Sequence, residues 1–287
     1  MSAAGPPRAG VCGWPVAHSR SPLIHGYWLR TLGIEGAYER FAVPPGEFPA
    51  FAASIGRDRL VGANVTVPHK EAAFAACDRL AADAQGSGAV NTLWREDDGA
   101  LCGDNTDVAG FLANLDAGAP DWRGEAGSAV VVGAGGAARA IVYALLSRGL
   151  GRVAIVNRTA ERAKALAAQF GRGTTAGSWS ELPQRLEGTD LLVNTTTLGM
   201  AGHGALEIDL APMKKTAVVA DIVYIPLATP LIEAARRRDL RAVDGLGMLL
   251  HQAAPGFERW FGVRPMVTPE LRALVEADIL AAGKGRS

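Results

Sequence analysis

Residues 129–138, AVVVGAGGAA, decide the fold of this chain. The apolar run at 129–132 is typical of a parallel strand that is buried on both faces. The loop at 133–138 fits the pattern G-x-G-x-x-G/A, in which the first glycine permits a tight turn and the second lets the backbone approach a pyrophosphate. A helical pattern follows, and a helix N-terminus offers free N–H groups to phosphates. The stretch therefore predicts a dinucleotide-binding loop, with a tight turn that binds no ligand as the alternative. The cofactor contacts predicted in this loop are Gly133, Ala134, Gly135, Gly136 and Ala137.

The residues downstream of this loop continue the alternation of strand and helix. Strands that alternate with helices form a parallel sheet with right-handed crossovers. The sequence therefore predicts a Rossmann-type domain. Its predicted helices lie at 137–148 and 160–170, and its predicted strands lie at 129–132, 153–156, 190–193, 218–221 and 241–243.

The end of the second of these strands indicates which dinucleotide is bound. NAD-binding domains place Asp or Glu there to hydrogen-bond the ribose 2′-hydroxyl. Here the residues are Asn157, Arg158 and Thr159. No carboxylate is among them, and a guanidinium can pair with a 2′-phosphate through charge-assisted hydrogen bonds. The pattern predicts NADP; a solvated Arg158 and a Thr159 that only caps the next helix are the alternative.

The first third of the chain predicts a second α/β domain. Its strand patterns lie at 10–13, 38–43, 60–67, 90–94 and 101–103, and a turn at 97–99 joins the last two into a hairpin. Helices are predicted from Ser21 as N-cap to Gly33, from Pro44 onward, over 70–82, and from Asp107 onward. After residue 244 the pattern is helical, at 247–261 and 269–282.

Composition limits the kinds of partner that this chain can bind. The 287 residues carry 29 Lys and Arg against 29 Asp and Glu, a balance that favours neither nucleic acid nor an anionic membrane. The three cysteines have no metal-ligand spacing, so we expect no disulfide scaffold and no metal. The N-terminus has no apolar signal segment, and the most apolar stretch, 129–146, is too short and too polar to span a bilayer. These features predict a cytoplasmic protein.

Several polar residues lie outside the predicted nucleotide-binding domain, and each has an ordinary structural explanation. Lys70 begins a predicted helix, where the helix dipole disfavours a cation, although an exposed lysine is the common case. Asp107 and Ser21 could serve as N-caps, and Gln252 could be an exposed helix residue. Taken one at a time, these residues identify no reaction.

Taken together and in this order, the motifs resemble the shikimate dehydrogenase family. The resemblance covers most of the chain, from about Val11 to Phe261. The motifs that carry it are GWPVAHSRSP (13–22), NVTVPHK (64–70), GAVNT (88–92), GDNTD (103–107), GAGGAAR (133–139), NRT (157–159), NTTTLGM (194–200), DIVYIP (221–226) and DGLGMLLHQAA (244–254).

The resemblance implies an oxidoreductase that reduces 3-dehydroshikimate to shikimate with NADPH, in the route to chorismate and the aromatic amino acids. It implies that Lys70 and Asp107 are the catalytic pair. The residue types suit this reaction, because an ammonium beside a ketone oxygen stabilises the developing negative charge and can supply a proton. The implied substrate contacts are Ser19, Ser21, Asn64, Thr66, Asn91, Tyr224 and Gln252, and the further cofactor contacts are Thr195, Gly245 and Met248.

The resemblance also implies how the domains are connected. Residues 1–107 with 245–287 would form the substrate domain, and residues 108–244 would form an inserted Rossmann domain that binds NADP. Two other functions stay open: a quinate/shikimate dehydrogenase with a broader substrate range or NAD use, and a non-catalytic homologue that senses shikimate. The sequence does not decide whether the chain works alone or as a homodimer.

Overall fold

In the computed structural model, which describes residues 5–123 and 127–284, the strands form two six-stranded sheets. Contacts divide the chain into two compact units, each with one of these sheets. The first unit comprises Met1–Val108 and Leu249–Val275, and the second comprises Ala109–Met248 and Glu276–Ser287.

The first unit begins with a mixed α/β segment. Its elements are β1 (Arg8–Gly13), α1 (Ser21–Thr31), β2 (Ala37–Ala42), a 3₁₀ turn (Pro45–Glu47), α2 (Phe48–Ser54), β3 (Leu60–Val65), α3 (Lys70–Ala76), β4 (Arg79–Leu80), α4 (Ala82–Ser87), β5 (Thr92–Arg95) and β6 (Leu101–Asp104). The strand order is β2-β1-β3-β5-β6-β4. β1 runs parallel to β2 and β3, whereas β5 is antiparallel to both β3 and β6.

This topology brings polar residues to one edge of the first sheet. The C-terminal ends of β3 and β6 lie at the same edge as the N-terminal end of the antiparallel β5, because Asn64 pairs with Thr92 and Thr92 with Asp104. The two faces of the sheet are apolar, in agreement with the alternation of side chains along a strand. Phe48 and Leu93 belong to the cluster on one face, and Tyr38, Val11 and Trp260 belong to another cluster.

The second unit is a doubly wound parallel sheet. After α5 (Asp107–Gly118), its elements are β7 (Ser128–Val132), α6 (Gly136–Ser147), β8 (Arg152–Asn157), α7 (Ala160–Phe170), β9 (Thr174–Ser178), a 3₁₀ turn (Trp179–Glu181), α8 (Leu182–Leu186), β10 (Leu191–Asn194), β11 (Val218–Asp221), α9 (Pro230–Arg237) and β12 (Arg241–Val243). Two further helices follow, α10 (Leu246–Phe261) and α11 (Pro269–Lys284).

The strand order of the second sheet confirms the predicted fold class. The order is β12-β11-β10-β7-β8-β9, and every neighbouring pair is parallel. The chain therefore reverses direction across the sheet between β7 and β10, which is the switch point where such folds bind dinucleotides. No helix in the described ranges, 5–123 and 127–284, is long and apolar enough to cross a membrane.

Some local predictions are wrong. The helix expected over 70–82 ends at Ala76, because Asp78 pairs with β6: its N–H donates to the carbonyl of Leu101 at 2.8 Å, and its carboxylate accepts from the N–H of Leu101 at 2.8 Å. Ser21 is the first residue of α1 and not its N-cap, which is Arg20 in a helical conformation. The strand β9 and the helices α8 and α9 were not predicted.

Candidate active site

A buried ion pair lies at the polar edge of the first sheet. Lys70 is the first residue of α3, which follows β3, and Asp107 is the first residue of α5, which follows β6. The ammonium of Lys70 donates to Oδ2 of Asp107, and the two side chains are only 13% and 8% exposed. The explanations of Lys70 as an exposed lysine and of Asp107 as an N-cap are therefore wrong.

Asn91 holds the second oxygen of that carboxylate. Its Nδ2 donates to Oδ1 of Asp107 at 2.9 Å. The amide is itself fixed, because its Oδ1 accepts from the Thr106 N–H at 2.8 Å and from the Thr92 hydroxyl at 2.9 Å. Asn91 is 2% exposed, so all of these bonds form away from bulk water. Each oxygen of the Asp107 carboxylate thus has a fixed donor.

Gln252 approaches the same amide from α10. Its Oε1 lies 3.5 Å from Nδ2 of Asn91, and its Nε2 donates to the carbonyl of Leu249 at 2.9 Å. It is 8% exposed, so the expectation of an exposed helix residue is wrong. Thr66 lies between β3 and α3, where its N–H donates to the carbonyl of Cys12 at 2.8 Å. Its side chain is half-buried.

Two buried hydroxyls lie at the start of α1. Oγ of Ser19 donates to Oγ of Ser21 at 3.2 Å and accepts from the Ser21 N–H at 3.3 Å. Arg40, on β2, holds this segment by donating two hydrogen bonds to the Ser19 carbonyl, at 3.1 and 2.7 Å. Sequence reasoning missed Arg40, because an exposed arginine on an alternating strand carries no sign of its partner.

Asn64, near the end of β3, has all of its polar groups engaged within the first unit. Its Oδ1 accepts from the hydroxyl of Tyr38 at 2.6 Å. Its Nδ2 donates to the Thr92 hydroxyl at 3.1 Å and to the Asn91 carbonyl at 3.3 Å. Asn64 is 5% exposed, and its amide is therefore held in one orientation before any ligand binds.

The glycine loop of the second unit leaves space against its backbone. Gly133 has φ +117°, and a Cβ there would collide with the Thr195 hydroxyl, which donates to the Val132 carbonyl at 2.7 Å. Gly135 differs, because a Cβ on it would meet no atom within 4 Å. Ala138 is fully buried under the loop. Gly133 is therefore required by the turn, whereas Gly135 borders open space at the N-terminus of α6.

The end of β8 presents the residues that were predicted to select the nucleotide. Asn157 closes β8, and its Nδ2 donates to the Thr159 carbonyl at 2.9 Å. Thr159 is the N-cap residue of α7, although its side chain makes no capping hydrogen bond. Arg158 between them is exposed. A cation therefore extends from the turn that follows the second strand of a doubly wound sheet.

One carboxylate joins the end of β10 to the loop that follows β11. Asp221 is 1% exposed and accepts from Nδ2 of Asn194 at 2.9 Å, the Val223 N–H at 3.0 Å and the Thr229 hydroxyl at 2.6 Å. Burial raises the pKa of Asp221 above its ordinary value, and these hydrogen bonds oppose the rise. Tyr224 lies in the loop between Val223 and Thr229.

The remaining predicted cofactor residues lie at the start of α10. Gly245 is buried, and a Cβ on it would collide with the carbonyl of Ile222. Met248 is 7% exposed. The described ranges contain no group of three or more His, Cys, Asp or Glu side chains that could hold a metal ion.

Comparisons with known proteins place the chain in a family. Three family models match it: the shikimate dehydrogenase substrate binding domain over residues 11–93, shikimate / quinate 5-dehydrogenase over 122–243, and the shikimate 5′-dehydrogenase C-terminal domain over 245–269. The shikimate dehydrogenase (NADP(+)) of Methylobacterium radiotolerans is 58% identical over 277 residues, which cover 95% of this chain and 98% of that protein. The chain belongs to the shikimate dehydrogenase family. The resemblance inferred from the motifs is thus confirmed.

Solved structures of shikimate dehydrogenase family members share the fold. The shikimate 5-dehydrogenase of Thermus thermophilus, in complex with NADP(H) and shikimate, superposes with a TM-score of 0.83 at 37% identity, covering 95% of this chain and 99% of that one. The quinate dehydrogenase of Corynebacterium glutamicum, in complex with NAD, superposes with a TM-score of 0.85 at 29% identity over the same shares of the two chains.

Proposed function

We propose that this chain catalyses the reversible NADPH-dependent reduction of 3-dehydroshikimate to shikimate. The observation that carries the proposal is the buried ion pair of Lys70 and Asp107, set among uncharged polar side chains at one edge of the first sheet. A small polyhydroxylated acid needs many neutral donors and acceptors and one proton-carrying group, and this edge offers that combination. The family and its NADP(+)-dependent members support the same conclusion.

Lys70 would act at the ketone oxygen. Negative charge develops on this oxygen as the carbonyl carbon is reduced, and an ammonium beside it stabilises that charge and supplies the proton that completes the hydroxyl. Asp107 would orient the ammonium and accept a hydrogen bond from a neighbouring substrate hydroxyl. Asn91 supports both roles, because its amide holds the other oxygen of the carboxylate.

The uncharged side chains would recognise the rest of the substrate. Ser19 and Ser21 are adjacent buried hydroxyls that can donate to a carboxylate. We assign the ring hydroxyls and neighbouring groups to Asn64, Thr66, Asn91, Tyr224 and Gln252. A site that hydrogen-bonds each hydroxyl rejects analogues that lack one, because a buried polar group is then left unpaired.

The second unit would hold NADP. The open space at Gly135 fits a pyrophosphate drawn against the backbone at the N-terminus of α6, where N–H groups are free. The exposed Arg158 can pair with a 2′-phosphate. Its neighbours, Asn157 and Thr159, are not carboxylates, which are the groups that NAD-binding domains use to hydrogen-bond the ribose 2′-hydroxyl. NADPH supplies the hydride when it is bound. We assign the remaining contacts to Gly133, Ala134, Gly136, Ala137, Asn157, Thr159, Thr195, Gly245 and Met248.

We assign the substrate contacts to residues of the first unit, apart from Tyr224, and the cofactor contacts to residues of the second. We also place the enzyme in the cytoplasm, where its free cysteines, Cys12, Cys77 and Cys102, would stay reduced. Sedimentation of the purified chain tests assembly: a mass of twice 29.9 kDa would establish a homodimer.

A steady-state assay tests the function directly. Purified protein is mixed with shikimate and NADP⁺, and NADPH formation is followed by absorbance, beside quinate and NAD⁺ in all four combinations. We expect the highest kcat/KM with shikimate and NADP⁺. Equal or higher kcat/KM with quinate or NAD⁺ would favour the broader dehydrogenase. Shikimate binding without turnover in any combination would instead indicate a sensor.

A further inference from the structure

Thr92, the first residue of β5, lies between two amides of the candidate site. It is 2% exposed. Its hydroxyl donates to Oδ1 of Asn91 at 2.9 Å and accepts from Nδ2 of Asn64 at 3.1 Å. The proposed chemistry gives Thr92 no role of its own, although one hydroxyl joins two side chains that we assign to the substrate.

The other partners of these amides fix the direction of both hydrogen bonds. Oδ1 of Asn91 also accepts from the Thr106 N–H at 2.8 Å, and because a backbone N–H can only donate, this end of the amide is its oxygen. Nδ2 of Asn64 also donates to the Asn91 carbonyl at 3.3 Å, and because a carbonyl can only accept, this end is its nitrogen. The Thr92 hydroxyl therefore has a donor on one side and an acceptor on the other.

The hydrogen bonds continue from Thr92 to the ion pair. Nδ2 of Asn91 donates to Oδ1 of Asp107 at 2.9 Å, and Lys70 donates to the other carboxylate oxygen. Asn64, Thr92, Asn91 and Asp107 are all at most 5% exposed. Away from water such bonds are electrostatically stronger, and each polarises the next. A continuous run of donors thus leads from Asn64 through Thr92 and Asn91 to the carboxylate.

This arrangement leaves one defined group on each amide for a substrate. Both hydrogens of the Asn64 amide are engaged, and its Oδ1 accepts one hydrogen bond, from the Tyr38 hydroxyl at 2.6 Å, so that a second lone pair can still accept. Nδ2 of Asn91 has one hydrogen besides the one bonded to the carboxylate, and its nearest acceptor is Oε1 of Gln252 at 3.5 Å. The first unit therefore presents an acceptor on Asn64 and a donor on Asn91, which suits a hydroxylated ring.

We propose that Thr92 is a positioning residue, which holds the amides of Asn64 and Asn91 in fixed orientations before the substrate binds. This rests on the proposed function, because it concerns the ring hydroxyls of the same substrate. Without the hydroxyl, an N–H of Asn64 loses its acceptor at a site that is 5% exposed. Asn91 keeps the N–H and the hydroxyl of Thr106 as donors, so the amide that holds Asp107 stays in place. Loss of the Thr92 hydroxyl should therefore weaken substrate binding more than it slows proton transfer.

The test compares Thr92→Val, which keeps the shape and removes the hydroxyl, with Thr92→Ser, which keeps the hydroxyl and removes the methyl group. For Thr92→Val we expect KM for shikimate to rise about tenfold, the scale of one buried hydrogen bond left unmade. We expect kcat to stay within about threefold and the affinity for NADP⁺ to be unchanged. Thr92→Ser should keep KM within about twofold of wild type. A purely structural role would lower the folded fraction and hence apparent kcat, but would not raise KM.

Thr189→Val is the matched control. Thr189 is 4% exposed, and its hydroxyl donates to the Arg185 carbonyl at 2.7 Å in the second unit. This variant also loses a buried hydroxyl, and we expect it to lower stability without changing KM. An unchanged KM in Thr92→Val, or an equal rise in Thr92→Ser or in the control, overturns the inference. If wild-type protein does not turn over shikimate, the proposed function fails separately.

The free protein offers a readout that needs no turnover. Thr92→Val, Asn64→Ala and their combination are compared by urea unfolding without ligand. Each single variant leaves one buried group without its partner, whereas the combination removes both groups. We therefore expect the loss of stability in the combination to be smaller than the sum of the single losses. Additive losses would contradict the link between Thr92 and Asn64.

Discussion

Lys70 and Asp107 each stand at the first residue of a helix, and their side chains form one buried ion pair. A cation at a helix N-terminus is opposed by the helix dipole, so the position of Lys70 costs stability that its carboxylate partner offsets. Stability alone would favour a different residue there. This agrees with the proposal that the pair acts on the substrate.

Replacing either member of the pair should remove most of the turnover. For Lys70→Met and for Asp107→Asn, we expect kcat to fall by about 10²- to 10⁴-fold, the usual contribution of a positioned proton donor. NADP⁺ affinity, measured by titration calorimetry, should not change. The control is Lys215→Met, at an exposed lysine. Turnover within threefold of wild type in both site variants would exclude the pair as the proton-transfer machinery.

The two glycines of the cofactor loop should respond differently to alanine. Gly133→Ala should destabilise the fold, because φ is +117° and the added Cβ collides with the Thr195 hydroxyl. Gly135→Ala should leave the melting temperature nearly unchanged, because its Cβ meets nothing within 4 Å. The same change should weaken NADP⁺ binding by about tenfold or more, because the added methyl group would hold the pyrophosphate away from the backbone. Thermal melts and NADP⁺ titrations of both variants check this; unaltered NADP⁺ affinity in Gly135→Ala would place the pyrophosphate elsewhere.

Arg158 should set the preference between the two nicotinamide dinucleotides. For Arg158→Gln, we expect KM for NADP⁺ to rise about 10- to 100-fold, because a charge-assisted contact to the 2′-phosphate is lost. KM for NAD⁺ should change little, since NAD⁺ has no phosphate at that position. Steady-state kinetics with both cofactors measures the ratio, and Arg172→Gln, at another exposed arginine of the second unit, is the control. A parallel loss with NAD⁺ would argue against 2′-phosphate recognition.

The buried imidazole of His25 should make the fold sensitive to mild acid. Burial lowers the pKa of His25 from 6.5 to about 3, so the unfolded chain takes up a proton that the folded protein excludes. The contribution of the neutral, buried His25 to stability is complete above pH 6.5. Below that pH, the free energy of unfolding should fall by about 1.4 kcal/mol per pH unit, because only the unfolded chain binds the proton. His251 has a pKa lowered by burial and adds to the same trend.

Urea unfolding between pH 7 and pH 4.5 measures this dependence. His25→Phe, which keeps an aromatic ring against Tyr38, should flatten the curve, whereas His203→Phe, at an exposed position, should not. If wild type and His25→Phe lose stability at the same rate, another group is responsible for the acid sensitivity.

The parallel sheet of the second unit was largely predictable from the sequence, because its strands are continuous apolar runs and its first loop has a fixed glycine pattern. The strands β7, β8, β10, β11 and β12 all lie within two residues of the predicted bounds. The edge strand β9 was missed, since Thr174–Ser178 is polar and small and has no apolar alternation. Hydrophobic periodicity reflects the burial of side chains, and the edge strand β9 buries few of its side chains.

The first unit shows where local pattern fails. The apolar spacing continues beyond Ala76, but the helix ends there. The backbone N–H and the carboxylate of Asp78 both hydrogen-bond to the backbone of Leu101, 23 residues along the chain. The contact of Tyr38 could not be predicted for a similar reason. Alternation along β2 predicts that its ring is buried, but not that its hydroxyl donates a hydrogen bond to Asn64, 26 residues along the chain. Motif resemblance predicted candidate site residues that propensity could not, and it predicted only residues that the motifs contain.

The carboxylate of Asp221 has a consequence for anyone who redesigns the cofactor side of this protein. Because it is hydrogen-bonded to Asn194 at the end of β10 and to Val223 and Thr229 in the loop after β11, these two segments are held together as one rigid piece. If one of the two segments were replaced by that of a relative and the other were kept, the buried carboxylate would lose some of its hydrogen-bond donors. Asn194, Asp221 and Thr229 have to be exchanged as a set, so the smallest transferable module here spans two strands and not one turn.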